Sequence, residues 1–361
     1  MLSSYCTDPL LLDVSKDMFM ALSNTPICIV AVYEHAVPQL QQWLVLSSVG
    51  NREQGGVSNY DTHSSSVPPS LVDVTIQILS GLCISSSLPS LSCTAHTQAE
   101  VVLTCLHILL STLSCSSHPC RREGMQAINT ILSHYQGRVQ DMLIPHNHPP
   151  YSPPILTPHQ FSQTLAELIM FTLKGCDADP GSFSECSGPS AGLLCHLLIN
   201  FSRDLSLPVV NALLDMTLHC LRCTTSSYVK YSLLMGLIHL FARDASLVAN
   251  TSSPLLGILP PLGTGADEKG TSALGFVLDE WCMLHPHLTS KYSGSISILG
   301  FIELIKMFNL SASNHSYALK ILQLALVTLP RILLNPDGAY VIVLVLLCSV
   351  LQCYLHDIDR K

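Results

Sequence analysis

Charge is what this chain has least of. Only 12% of its 361 residues are Asp, Glu, Lys or Arg, about half the share near 25% usual in soluble domains. Acids outnumber bases 25 to 17, for a formal net charge of −8. Unaided nucleic-acid binding needs clustered Lys and Arg facing phosphates, so this balance argues against it. It is compatible with a basic protein partner, and equally ordinary for a soluble protein of this length.

Strand signals are also scarce. No run of Val, Ile, Thr and aromatics alternates with period two between turn residues. Motifs that carry chemistry are missing too. There is no Gly-x-Ser-x-Gly elbow to expose a nucleophile. Gly263-Thr264-Gly265 runs on into Ala-Asp-Glu-Lys-Gly, without the Gly-Lys-Ser/Thr of a phosphate loop, and reads as a flexible loop. No enzyme activity and no cofactor is therefore expected. The N-terminal stretch carries Asp8, Asp13 and Asp17 and no basic n-region, so it does not read as a signal peptide. The sequons at Asn200, Asn250, Asn309 and Asn314 then read as chance matches.

Cysteine, by contrast, is abundant. Fifteen thiols could suggest a disulfide framework. The count is odd, the chain is far longer than stapled secreted scaffolds, and many of the cysteines fall among apolar helix positions. Cys105, Cys195 and Cys348 sit within Leu/Ile/Val runs, where a free thiol acts as a small hydrophobe. The expected compartment is reducing. His219-Cys220-x-x-Cys223 holds the chain's Cys-x-x-Cys pair, but a structural zinc site wants four ligands, and core thiols are the preferred reading. His146 and His148, and likewise His285 and His287, read as solvated loop residues. No metal site is expected.

Hydrophobic residues make up 48% of the chain, and they recur at three- and four-residue spacing. Helices are predicted over 17–23, 26–35, 38–47, 71–85, 97–113, 121–143, 158–173, 190–204, 208–222, 226–243, 271–284, 293–308, 316–334 and 339–356. In the span from Pro208, the expected buried stripe is Val209, Leu213, Met216 and Cys220. Pro26, Pro38, Pro158 and Pro208 stand near first turns, where a missing N–H costs nothing. Polar or Pro/Gly-rich connections are expected over 50–69, 144–158, 176–189 and 251–270.

Helix pairs recur at roughly 35–45 residues, the range of tetratricopeptide, HEAT and armadillo units. No tetratricopeptide or ankyrin signature is present, so the degenerate HEAT type is the default. The fold expected is an all-α HEAT/armadillo-type helical-repeat solenoid, one continuous array over 1–361. The apolar run from Ala339 to Leu355 reaches the short limit for crossing ~30 Å of hydrocarbon. A helix apolar all round can also be the inner helix of a solenoid, and that reading is preferred to a membrane anchor.

Several words stand in an order that carries a resemblance. They are Phe183 to Leu205, Leu233 to Phe241, Pro254-Leu255-Leu256, Ala273-Leu274-Gly275-Phe276-Val277, Glu280-Trp281, Tyr292-x-Gly294 and Lys320-Ile321-Leu322. Over Phe183 to Leu334 their order and spacing resemble the importin-β (karyopherin) family. The resemblance implies a nuclear transport receptor moving between cytoplasm and nucleus. Its partners would be basic protein cargo (histones, ribosomal proteins), Ran-GTP and the Phe-Gly repeats of nucleoporins. Two departures stand out. The family's Ran-binding N-terminal repeats have no counterpart here, and only Asn309 to His315 fills the place of a long charged insertion. The chain thus reads as a C-terminal piece of a longer receptor. Under this resemblance Asp177, Asp179, Glu185, Asp279 and Glu280 are the acids expected to touch cargo. By themselves the first three read as a solvated loop. Asp279 and Glu280, adjacent on a helix, point to different parts of its surface.

Overall fold

The computed structural model describes residues 8–50, 69–85, 98–113, 121–135, 138–143, 157–174, 180–249, 253–257 and 272–284, with scattered positions between 287 and 304. The described residues are mostly helical and contain no strand, so the described part of the chain is all-α. The helices expected at 316–334 and 339–356 lie outside the described residues. So do the connections at 51–68 and 144–156, and His146, His148, His285, Gly263 and Gly265.

The chain divides into two compact units, Met1–Asp204 and Leu205–Lys361. In the first, α1 (Pro9–Ser23) starts eight residues before the expected 17–23. Its start signal is local: the Asp8 side chain accepts a hydrogen bond from the Leu10 N–H at 2.9 Å, with Pro9 in the first turn. The two helices expected over 26–35 and 38–47 are instead one continuous run. It comprises α2 (Ile29–Ala31), a π-helical segment (Val32–Ala36) and α3 (Val37–Gly50). Pro38, which cannot donate a backbone hydrogen bond, is the second residue of α3, just beyond the π segment, and does not break the run.

There follow α4 (Pro69–Cys83), α5 (Gln98–Leu113), α6 (Arg121–Tyr135), α7 (Arg138–Met142), α8 (Pro158–Lys174) and α9 (Pro180–Phe201). The last corrects the loop expected over 176–189. Helix α9 begins ten residues before Ser190 and carries Pro189 in its interior. An interior proline forfeits one backbone hydrogen bond, and here it does not end the helix.

These helices pack in two rows. One row runs α1, α4, α6, α9, the other α3, α5, α8, and each α3–α4, α5–α6 and α8–α9 pair closes a hairpin between the rows. Within the first row the helices run parallel. Met20 of α1 lies against Gly81 of α4, and the Ser85 hydroxyl just beyond α4 donates to the Ser23 carbonyl at 2.6 Å. The Tyr135 hydroxyl of α6 donates to the Cys83 carbonyl at 2.6 Å, joining two C-terminal ends. Between α6 and α9 the Met125–Ser190 and Ser133–His196 pairs are separated by 65 and 63 residues, a nearly constant offset. Hairpin partners run antiparallel: Leu113 meets Gly124 while Gln98 reaches Tyr135. Helix α5 occupies the middle of its row and buries ten of its residues, including Val101, Cys105 and Leu109.

The second unit holds α10 (Leu207–Cys223), α11 (Ser227–Ala249), a 3₁₀ turn (Pro254–Leu256) and α12 (Ala273–Leu284). In α10 the buried set is Val210, Leu213, Leu214, Thr217, Leu218, Cys220 and Leu221. It is rotated from the expected stripe, with Val209 and Met216 only half-buried. The rotation is possible because Thr217 hides its polarity, its hydroxyl donating to the Leu213 carbonyl at 2.6 Å. Trp281 is fully buried; its Nε1–H donates to Ser297 Oγ at 2.8 Å and its ring stacks on Phe241 at 5.9 Å.

Close approach of α1 and α4 depends on Gly81. A Cβ there would stand 2.0 Å from Met20 Sδ, closer than any real contact. Gly81→Ala should push the flexible end of Met20 aside, and with the better helix propensity offsetting part of that cost the net loss should be about 1 kcal/mol or less. Adding Met20→Ala should recover part of the loss. Urea unfolding of both variants checks this; simple additivity would contradict the contact.

His196 supplies a pH test. Burial pulls its imidazole below the ordinary 6.5, so the folded chain holds it neutral while the unfolded chain protonates first. This stabilisation is present above about pH 6.5 and is lost as pH falls towards the depressed folded value. Wild type should therefore lose more stability than His196→Gln on going from pH 7 to pH 5, as thermal unfolding in matched buffers would read.

Candidate functional site

An open apolar groove lies between α1 and the run from α2 to α3, with a volume of about 860 Å³. One wall is α1, whose Leu11, Ser15, Met18 and Leu22 recur at helical spacing, flanked by Leu12 and Phe19. The other wall is Val32, Ala36, Leu40 and Trp43, with His35 and Gln39 as its polar groups. Ile27 and Cys28, in the turn joining the walls, close one end. The volume falls in the range of ligand and peptide pockets.

Its walls are incompletely covered. Ile27 is 89% exposed, Met18 54% and Leu11 45%. The hairpins formed by α3–α4, α5–α6 and α8–α9 are closed by direct helix contact. Helix α1 packs chiefly on α4 and touches the π segment. The π segment supplies Val32, His35 and Ala36 to the groove. Such segments are rare and concentrate at functional sites.

The acids expected to meet cargo are placed as follows. Asp177 and Asp179 lie outside the described residues. Glu185 falls within α9, not in a loop. Asp279 is exposed on α12. Glu280, half-buried beside it, accepts two hydrogen bonds from Lys230 Nζ of α11, at 3.0 and 3.2 Å. Its carboxylate thus ties α12 to α11, and its neighbour Trp281 anchors the same core. The Glu-Trp word does structural work in this unit.

Two other constellations were open to a chemical reading. His219 and Cys223 lie one turn apart on exposed positions of α10, with Nε2 and Sγ 3.8 Å apart. Cys220 between them points into the core at 0% exposure, so the three do not converge. Among the described residues no group of three or more His, Cys, Asp or Glu could hold a metal ion. Ser133 Oγ and His196 Nε2 meet at 2.9 Å across α6 and α9. Both sit inside regular helices, not on a strained turn, so the pair is an interhelical hydrogen bond rather than an activated nucleophile. Cys28, Cys83, Cys105, Cys195, Cys220, Cys223 and Cys282 are free thiols. Burial pushes the Cys195 thiol up to about 12 and raises Cys83, which hydrogen-bonds to Cys105. No described helix is long and apolar enough to cross a membrane.

Sequence reasoning missed the groove. The stripe Leu11, Ser15, Met18, Leu22 was available, but half of it precedes residue 17, where the helix was expected to begin. No family model, curated protein or solved structure matches the chain.

Groove accessibility predicts a thiol order. Cys28, half-buried in the groove, should react with an apolar maleimide in the native chain. Cys83, Cys105 and Cys220, each 0% exposed, should react only on unfolding. Peptide-resolved mass spectrometry after timed alkylation reads this, and equal protection of Cys28 would mean the groove is closed in solution.

Proposed function

We propose that this chain is a HEAT/armadillo-type helical-repeat protein that works as a nuclear transport receptor of the importin-β class. In the order of its sequence words it most resembles importin-9. The observation that carries the repeat reading is the register within the Met1–Asp204 unit, where parallel helices recur in a row and antiparallel hairpins bridge to a second row. That is how stacked repeats extend one core while keeping long helical faces available to partners. The transport reading adds the sequence resemblance and the excess of acid over base. Basic proteins such as histones and ribosomal proteins are the cargo that charge would favour. The apolar groove suits the aromatic side chains of Phe-Gly repeats, and Ran-GTP would act as the release signal.

Pull-downs from the folded full chain separate this from a scaffold with no transport role. Retention of core histone dimers, released by Ran-GTP, is the expected result. Binding to histones without any response to Ran-GTP would remove the receptor part of the proposal. Binding to neither would leave a helical-repeat scaffold.

A further inference from the structure

We propose that His219 and Cys223 of α10 form a two-donor surface site for Zn(II), with water filling the remaining coordination positions. The inference does not rest on the transport reading.

Three observations carry it. First, the spacing is that of a chelate. Residues four apart on a helix lie on one face, one above the other, and here His219 Nε2 is 3.8 Å from Cys223 Sγ. With Zn–S at about 2.3 Å and Zn–N at about 2.0–2.1 Å, one ion bonded to both atoms at that separation subtends an angle of about 120°, close to tetrahedral. A thiolate and an imidazole also select zinc over Mg(II) or Ca(II), which take oxygen donors. Second, both side chains are exposed, so a hydrated ion reaches them without any opening of the fold. Cys83, Cys105 and Cys220, at 0% exposure, offer no such access. Third, the pair stands at the C-terminal end of α10, which closes at Cys223. The carbonyls left over there and the negative end of the helix dipole favour a cation. Asp215, also exposed, precedes His219 by one turn on the same face and adds negative charge. Arg222, the nearest base in sequence, is half-buried and lies about 100° round the helix from Cys223. As the ion binds, the Cys223 thiol releases its proton to solvent. Among the described residues no third His, Cys, Asp or Glu completes the set. The site is therefore open and exchangeable, unlike the closed four-ligand sites that hold folds together.

Protection from alkylation tests the proposal on the full chain, with a maleimide as reagent, zinc chloride as ligand and peptide-resolved mass spectrometry as readout. Zn(II) should slow alkylation of Cys223 saturably, and magnesium chloride should leave it unchanged. Cys28, with no His three or four residues away in the sequence, is the internal reference and should keep its rate. His219→Gln removes one exposed donor, so circular dichroism and thermal unfolding should match wild type. The Zn(II) concentration that protects Cys223 should nevertheless rise at least about tenfold in this variant, since even groups that only orient a ligand contribute that much to metal affinity. Cobalt(II) gives a second readout. The wild-type chain should show a near-ultraviolet thiolate-to-cobalt charge-transfer band that Zn(II) abolishes, and Cys223→Ser should lower its amplitude. An unchanged Cys223 rate in Zn(II), equal slowing at Cys28, or full protection in His219→Gln overturns the site. A cobalt band of undiminished amplitude in Cys223→Ser overturns it as well.

Discussion

The interaction on which this structure depends is the burial of one helix's apolar face by the next helix in its row. With so few charges, these helices have little polar surface to give to water. Burying the Leu, Ile and Val stripe of α5 needs α3, α4, α6 and α8 around it, and removes each side chain from water at about 25 cal/mol per Å². Secondary structure here is a consequence of stacking more than of propensity. Helix α9, with Pro189 inside it, keeps its helical path while packing against both α6 and α8.

Stacking alone would leave the helices free to slide, and polar contacts fix the register. Tyr135 joins the ends of α6 and α4, Ser85 joins the end of α4 to that of α1, and Ser133–His196 sets α6 against α9. Each bond is worth only about 1 kcal/mol net. Their value lies in placement: at the buried Tyr135 and Ser85 bonds a one-residue slide would leave a hydroxyl or carbonyl without its partner. Gly81, Gly124 and Gly192 complement them, since a Cβ at each would meet a side chain of the neighbouring helix within 3 Å. In the second unit Lys230–Glu280 and Trp281–Ser297 do the same for α11, α12 and the segment after it.

How far the sequence could be read follows from this division of labour. Regular helices with apolar spacing and a clear Pro start, such as α8 and α10, were legible to within a residue or two, because their signals are local. The extra turns of α1 were marked locally as well, by Asp8 and Pro9, but the run Leu10–Leu12 lacks a polar face and hid the period. The π segment and the start of α9 were not legible. Proline ordinarily punctuates helices, and at Pro38 and Pro189 the surrounding run overrides it. The rotated stripe of α10 shows the same limit at side-chain level: Thr217 counts as polar until its hydroxyl is seen bonded to Leu213. Of the acids proposed for cargo, Glu280 could not have been recognised as half of an ion pair, because Lys230 lies fifty residues away.

The groove is where the stacking rule is broken, and the break has a physical cause. A hairpin closes when both helices present matching ridges over their whole length. In the run from α2 to α3 the π segment offsets the backbone register, and Ala31 before it, Val32 and Ala36 within it and Leu40 and Trp43 beyond it all line the wall opposite α1. Val32 and Leu40 still reach burial, at 6% and 2% exposed, by leaning on the rest of the core. On α1 the cost falls on Leu11 and Met18, which stay half in water although their own helix is apolar enough to be covered. Apolar surface held open in this way is unfavourable for an isolated chain. Reverting the π segment to α-helical form would turn every residue of α3 by about 100° relative to α4 and α5, against which α3 packs. The open groove and the closed rows are thus two results of the same register.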